Sequence, residues 1–364
     1  MSSFYNGNIK LSIFGQSHSP AIGVVIDGIP AGEKFDEAAL KEFVARRSAS
    51  NNSLGTQRKE PDEIEILAGV ANGNFCGAPF AAIIRNTNVK PGDYSEFSHK
   101  PRPGHADYTA SVKYNGANDF SGGGHISGRL TAPLCIAGGI FKQLLEARGI
   151  YIGAHHERIG NITDTRFDPV NITKDTLDNL HRGELTTTDT DSQDKMRALI
   201  EAVRADKDSI GGVIECAALG VMPGLGEPML DGLENRISRL IFAIPGVKGL
   251  EFGAGFDAAL LRGSENNDPF TYKNGRVVTL TNNHGGILGG ISSGMPIIFR
   301  TAFKPTPSIF KQQDTVDLLT KENTTLTIKG RHDPCIAVRA LPCVEAAAAI
   351  ALYDALLDNA KNNI

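Results

Sequence analysis

Apolar and polar positions along this chain lay out two similar halves. Residues 11–14 and 23–27 (GVVID) are apolar runs of strand length. A Pro/Gly turn at residues 28–32 follows. Asp36 then stands as the N-cap of a helix predicted over residues 36–47, with Leu40, Phe43 and Val44 on one face. The polar segment 48–61 reads as a loop, and residues 64–70 and 79–84 read as strands. The same order returns later: strand 212–216, Pro/Gly turn 222–226, helix 231–243, then strands 247–255 and 294–300. Pro30 and Pro223 lie 193 residues apart, and Asp36 and Asp231 lie 195 apart. This near-constant offset predicts an internal duplication within one domain spanning 1–364, with pseudo-repeats over roughly 1–150 and 210–364.

Each half closes with an Ala-rich apolar helix, predicted over residues 132–148 and 344–359. A helix that is apolar around most of its circumference is buried on several sides. Two such helices between antiparallel sheets make the expected class α+β, a layered β-α-β sandwich. Residues 160–208 are polar and helical, especially 192–205, and read as an insertion along one edge.

The stretch from residue 100 to 131 fits neither period. It holds Arg102, His105, Asp107, Lys113, His125 and Arg129 around a run of three glycines, Gly122, Gly123 and Gly124. Long loops inside compact domains are usually functional, and glycine lets backbone approach a ligand closely. Arg129 precedes the first apolar helix, so a bidentate anion clamp sits beside a helix N-terminus. Further loop clusters are Gln16-Ser17-His18, Arg102-Pro103-Gly104-His105, residues 304–308 (KPTPS) and residues 330–334 (GRHDP). His18 and His105 lie between small or turn-forming residues, which suits proton transfer. His155, His156, His181 and His284 read as structural. Arg47, Arg102, Arg129, Lys304 and Arg331 beside Gly/Ser/Thr loops point to a phosphorylated ligand.

Composition narrows the classes. The 364 residues are 41% hydrophobic and 21% charged, with a formal net charge of −4, which argues against nucleic acid as the main partner. The N-terminal residues lack a signal-peptide pattern, and runs such as 346–352 are too short to cross a bilayer, so a cytoplasmic protein is expected. Five cysteines without a C-x-x-C pair read as buried free thiols, with no metal site.

The motifs themselves resemble the chorismate synthase family. The matching stretches are FGQSH (14–18), IDGIPAG (26–32), RPGHADYT (102–109), GGGHISGR (122–129), GLGEP (224–228), VKGLEFGAGF (247–256), NNHGGILGGISSG (282–294), KPTPSI (304–309) and GRHDPC (330–335). They cover nearly the whole chain in family order. The resemblance implies a lyase that converts 5-enolpyruvylshikimate 3-phosphate to chorismate and phosphate by anti-1,4-elimination. Reduced FMN would donate an electron transiently and recover it. By the same resemblance, His18 protonates the departing phosphate, His105 serves the reduced flavin, and Asp333 helps remove the ring proton. Ser17, Arg47, Arg102 and Arg129 match substrate-binding positions. His125, Ile126, Ser127, Pro245, Gly246, Gly289, Lys304, Pro305, Thr306, Pro307, Ser308 and Arg331 match FMN-binding positions. A homotetramer supplied by an external flavin reductase is also implied.

Several positions depart from the family pattern. Gln16 stands where Glu is usual, Ser19 where Gly is usual, and Ser48 and Ser53 where Arg is common. His125-Ile126-Ser127 replaces Arg-Ser-Ser, and Leu130 replaces Glu. These departures bear on the anion contacts, while Arg129 is kept. The chain lacks long insertions, which favours a monofunctional enzyme. The sequence leaves open an intrinsic NAD(P)H:flavin reductase activity. It also leaves open an FMN oxidoreductase or a phospholigand-binding scaffold without turnover.

Overall fold

The computed structural model describes residues 3–48, 53–55, 62–87, 96–328, 330 and 332–362. Among them, two five-stranded antiparallel sheets carry the fold. Strands β1 (Phe4–Asn6), β2 (Lys10–Gly15), β3 (Ala21–Asp27), β4 (Ile64–Ala68) and β5 (Phe80–Arg85) form the first, in the order β1-β2-β3-β5-β4. Strands β6 (Tyr151–Ile159), β7 (Ile162–Thr163), β8 (Gly212–Leu219), β9 (Val247–Phe252) and β10 (Ile297–Phe303) form the second, in the order β9-β10-β8-β6-β7. The run β2-β3-β5-β4 in one sheet therefore has the same order as β6-β8-β10-β9 in the other. The chain is α+β.

Alternation explains which face each sheet buries. In the first sheet Ile22, Val24, Ile26, Leu11, Phe80, Ala82 and Ile84 point to one side and are almost fully buried. In the second, Ile214, Cys216 and Ala218 share a face with Ile152, Ala154 and His156 on β6 and with Ile297 and Phe299 on β10. Six of the eight α-helices among the described residues are, in chain order, α1 (Glu37–Ala45), α2 (Asp107–Lys113), α3 (Thr131–Glu146), α4 (Thr190–Ala205), α5 (Leu233–Ile241) and α6 (Ala337–Asn362). Asp36 caps α1 by accepting from the Ala39 amide at 3.0 Å.

Helices α3 and α6 lie against each other at the centre. A Cβ placed on Gly138 would fall 2.1 Å from the Ala346 Cβ, so the two backbones touch through small residues alone. Phe141 stacks on Tyr353 with ring centroids 5.1 Å apart, and the thiols of Cys135 and Cys343 are 3.7 Å apart. Helix α1 packs on α3 through Leu40 and Phe43 at Gly139. Helix α5 docks on α6 through Arg236, which binds Asp231, Asp354 and Asp358.

Several expectations change. The last helix begins at Ala337, not 344, and carries Pro342 within it. By length and composition it would suffice to cross a bilayer, yet 89% of its apolar window is buried inside the protein. Short apolar runs hid this because Arg339, Glu345 and Asp354 interrupt them while pairing inside the fold. Asp231 lies in a 3₁₀ turn, and Gly232 takes the N-cap of α5. The segment 160–208 covers a face instead of an edge: Phe167, Ile172, Leu177 and Leu180 pack on Ala217, Leu219 and Ile298 of the second sheet. Strand β6 went unread because six of its nine residues are buried in sequence, leaving no alternation.

Two outcomes follow from this packing. Gly138→Ala should gain about 1 kcal/mol of helix propensity. It should still destabilise the protein by about 1–3 kcal/mol net through overpacking, seen as a lower Tm. His156 is fully buried, accepts from the Thr186 amide at 2.9 Å and lies 3.2 Å from the Ala337 carbonyl. Burial holds its pKa down to about 4, against an ordinary imidazole value of 6.5. The unfolded chain therefore binds the extra proton between these values, and stability falls as pH drops from 6.5 toward 4. Tm measured across that window should fall less steeply in His156→Gln than in the wild type.

Candidate active site

The glycine-rich stretch is held by its own charges and by a hairpin. Strands β11 (Gln312–Asp317) and β12 (Glu322–Thr327) form that hairpin. Leu318 donates its amide to the His99 carbonyl at 2.8 Å, and the Thr315 hydroxyl donates to the Pro101 carbonyl at 2.5 Å. Arg102 lies over the Phe97 ring at 4.6 Å and grips Asp107 through Nε (2.7 Å) and NH2 (2.8 Å). The Arg102 amide adds a third bond to the same carboxylate at 3.0 Å. Burial pushes the Asp107 carboxyl up, but these bonds and His105 outweigh it and hold it well below the carboxylate range.

Asp107 also sets the histidine. Nδ1 of His105 lies 2.7 Å from Asp107 Oδ1 and 3.1 Å from Arg102 NH2. Arginine can only donate, so both contacts cannot be hydrogen bonds at one nitrogen. The carboxylate is closer and charged, so Nδ1 carries the proton toward it and Nε2 faces the glycines. A Cβ on Gly123 would lie 3.3 Å from that Nε2. One residue earlier, a Cβ on Gly122 (φ +60°) would lie 2.6 Å from His18 Nε2 and 2.8 Å from Ser17 Oγ. Only bare backbone fits there, and it brings both imidazoles onto one strip of chain. The Gly124 carbonyl accepts from the Ser17 amide at 3.0 Å and locks the strip to the end of β2.

Beside this strip lies a buried cationic cluster. Arg47 and Arg129 share the Asp62 carboxylate, with side-chain exposures of 4%, 6% and 1% respectively. Arg47 also donates through Nε to Thr131 Oγ1 at 2.8 Å and through NH2 to the Gly128 carbonyl at 3.1 Å. Arg129 donates through Nε to Asn86 Oδ1 at 3.2 Å, and Ser127 caps the turn by accepting from the Arg129 amide at 3.3 Å. Burial alone would push the Asp62 carboxyl up, but the two guanidiniums prevail and lower it. Asp333 joins the cluster through Arg339, which donates NH1 to Asp333 at 3.0 Å and Nε to the Arg47 carbonyl at 3.0 Å.

The expected flavin positions divide. Lys304 donates Nζ to the Gly104 carbonyl and its amide to the Gly246 carbonyl at 3.0 Å, so Pro245 and Gly246 meet the Arg102–His105 loop through it. Burial and Lys248 hold the Lys304 ammonium below its usual range. Pro307 touches Gly104, and the Thr306 carbonyl accepts from Ser209 at 2.7 Å. Pro305 packs at Gly211, and Ser308 is buried. His125 is turned onto the scaffold: Nδ1 lies 2.6 Å from the Gly15 carbonyl and Nε2 contacts the Ser3 hydroxyl. Ile126 is exposed. Gly289 sits in the Ile287–Ser292 hairpin, whose Gly290 lies against Glu227 and Gly232. No contact among the described residues joins Gly289 to the cluster. Arg331 lies outside the described residues.

Sequence reasoning missed Asp62, Asn86 and Arg339. A lone carboxylate in a charged loop carries no local sign of its partners. Asp107, two residues after His105, could have been read from its spacing. His155 and His284 are structural as expected: His155 lies between Asp164 and Glu215 at 2.8 Å each, and His284 contacts Asp268 and Ser293.

The fold and site define a class: an α+β protein with two histidines on a glycine strip beside a buried arginine cluster, suited to acid–base work on an anion. Comparison places it further. The family model described as chorismate synthase matches residues 9–357. A chorismate synthase of Korarchaeum cryptofilum is 43% identical, over 99% of each chain. One of Lancefieldella parvula is 46% identical, over 98% of this chain and 96% of its own. A crystal structure of chorismate synthase superposes with a TM-score of 0.76 at 28% identity, covering 96% of this chain and 92% of that one. The chain belongs to the chorismate synthase family.

Gly122→Ala tests the strip. The new methyl must displace His18, and a misplacement near 1 Å costs about 10²-fold in rate. Chorismate-forming turnover should fall by about that factor with a small change in Tm, and the His18 ring resonances should shift.

Proposed function

We propose that this chain converts 5-enolpyruvylshikimate 3-phosphate to chorismate and phosphate by anti-1,4-elimination, in the presence of reduced FMN. The observation that carries the reading is the convergence of His18 and His105 on Gly122 and Gly123 beside the Arg47–Asp62–Arg129 cluster. Phosphate leaves slowly unless it is protonated or clamped. His18 delivers a proton at Nε2 to the departing phosphate, and Ser17 Oγ beside it helps hold that anion. Arg102 and Arg129 hold the anionic groups. The Asp333 carboxylate, positioned by Arg339, takes part in removing the ring proton.

The residues present fit a flavin mononucleotide. Thr306 Oγ1 is buried with no hydrogen-bond partner among the described residues, next to a lysine and a proline-bounded loop. Bare glycine backbone faces His105 Nε2. Lys304, Thr306, Ser308, Ser127, Arg331 and the Pro245–Gly246 backbone would hold FMN, with His105 serving its ring. When bound, reduced FMN supplies an electron transiently to the substrate and recovers it. The fold reads as a layered β-α-β sandwich with an internal duplication, supported by the matching strand orders. We further assign a homotetramer, a cytoplasmic setting and an external flavin reductase. Exposed apolar side chains such as Leu230 (90%), Phe256 (82%) and Leu260 (83%) support assembly.

The test is anaerobic incubation with reduced FMN and the enolpyruvyl phosphate, following chorismate absorbance and phosphate release together. Stoichiometric formation of both is expected, and phosphate release without chorismate would sink the reading. His18→Ala, His105→Ala and Asp333→Ala should each lose about 10²–10⁴-fold in turnover. Lys304→Ala should weaken flavin binding while leaving Tm near the wild-type value.

A further inference from the structure

Asp62 is the described carboxylate between two arginines, and it ties each of them to the loops around it. Every nitrogen of the Arg47 guanidinium ends on the protein: Nε on Thr131 Oγ1, NH1 on Asp62 at 2.7 Å and NH2 on the Gly128 carbonyl. Thr131 and Gly128 flank Arg129 in sequence, at the entry to α3. Arg47 therefore braces the turn that presents Arg129. Arg129 donates Nε to Asn86 Oδ1 and NH1 to Asp62 Oδ1. Asn86 in turn donates to the Gln16 and Ser19 carbonyls at 3.2 and 2.7 Å, so the fork of Arg129 is registered to the loop that carries His18.

Charge bookkeeping gives the consequence. Arg47, Asp62 and Arg129 together carry one positive charge where two buried arginines alone would carry two. A second buried cation would raise anion affinity but lose its alignment, because like charges at short range repel and an unpaired buried charge pulls toward solvent. We infer that Asp62 is a positioning and affinity-setting residue. Its carboxylate aligns Arg129 toward the substrate anion, makes Arg47 a brace instead of a ligand, and holds anion affinity below what two free arginines would give. This rests on the proposed function for the identity of the substrate, but the anion-binding part stands apart from it.

The probe is inorganic phosphate, titrated calorimetrically into the full chain, alongside kcat and KM for the enolpyruvyl phosphate. Asp62→Asn should bind phosphate about tenfold more tightly, because the cluster gains a unit of charge. Its kcat should fall about 10²-fold through misalignment of Arg129, with KM unchanged or lower. A merely structural role would weaken phosphate binding and lower kcat together, and that result overturns the inference, as would an unchanged phosphate affinity. If Asp62→Asn fails to fold, the double variant Arg47→Gln/Asp62→Asn decides, since it removes the ion pair as a unit and restores a single positive charge. It should bind phosphate within about threefold of the wild type while kcat stays depressed. Phosphate affinity shifted well beyond that range, or a wild-type kcat, overturns the inference. Wild-type phosphate binding that Arg129→Ala abolishes, in a chain that forms no chorismate, would fail the functional reading while leaving this one intact.

Discussion

The contact between α3 and α6 is the constraint from which the site follows. Gly138 against Ala346 lets two long helices meet backbone to backbone. Each then delivers its N-terminal end to the same place. The entry of α3 carries Ser127, Arg129 and Thr131, and the entry of α6 carries Asp333 and Arg339. Arg339 closes the circuit by donating to both Asp333 and the Arg47 carbonyl. A wider spacing between the helices would separate the Asp333 carboxylate from the arginines by a comparable amount. Small residues at one crossing thus set distances among charged groups elsewhere.

Buried charge is used in two ways in this molecule. On the outer face of the second sheet, Glu251 binds Arg300 at 2.8 Å, and His155 sits between Glu215 and Asp164. Burial disfavours the His155 imidazolium, but the two carboxylates outweigh it and raise its pKa. This row is satisfied on all sides: Asp164 also takes Thr188 and Ser192, and Glu215 takes the Phe167 amide. It staples the 160–208 segment onto the sheet. The site cluster is different in sign, because one carboxylate serves two arginines and leaves a positive remainder.

Much of the architecture was legible because it depends on local periodicity. Strands β2, β3 and β5 and helices α1 and α3 fall within a few residues of their predicted bounds, since alternation and helical spacing report burial directly. Strand β6 was not, because both of its faces are covered. The true start of α6 was not, because its charged residues find partners only in the folded chain. In the site, His18, His105, Lys304 and Asp333 were legible as motifs. Asp62 and Asn86 were not, since each acts through residues dozens of positions away.

By itself the sequence determined the class of fold, the family and the residue types available for chemistry, because these follow from periodicity and from contiguous motifs. It also showed that the run Gly122–Gly124 could not be a regular helix or strand, although Asp107–Lys113 in the same stretch fold as α2. Tertiary structure alone decided which of those residues meet. It put His18 and His105 on adjacent glycines, turned His125 onto Gly15 and Ser3, and gave each nitrogen of Arg47 a partner among Thr131, Asp62 and Gly128. The physical reason is that a charged side chain's role is set by the partners it finds at about 3 Å, and these come from separate elements of the chain.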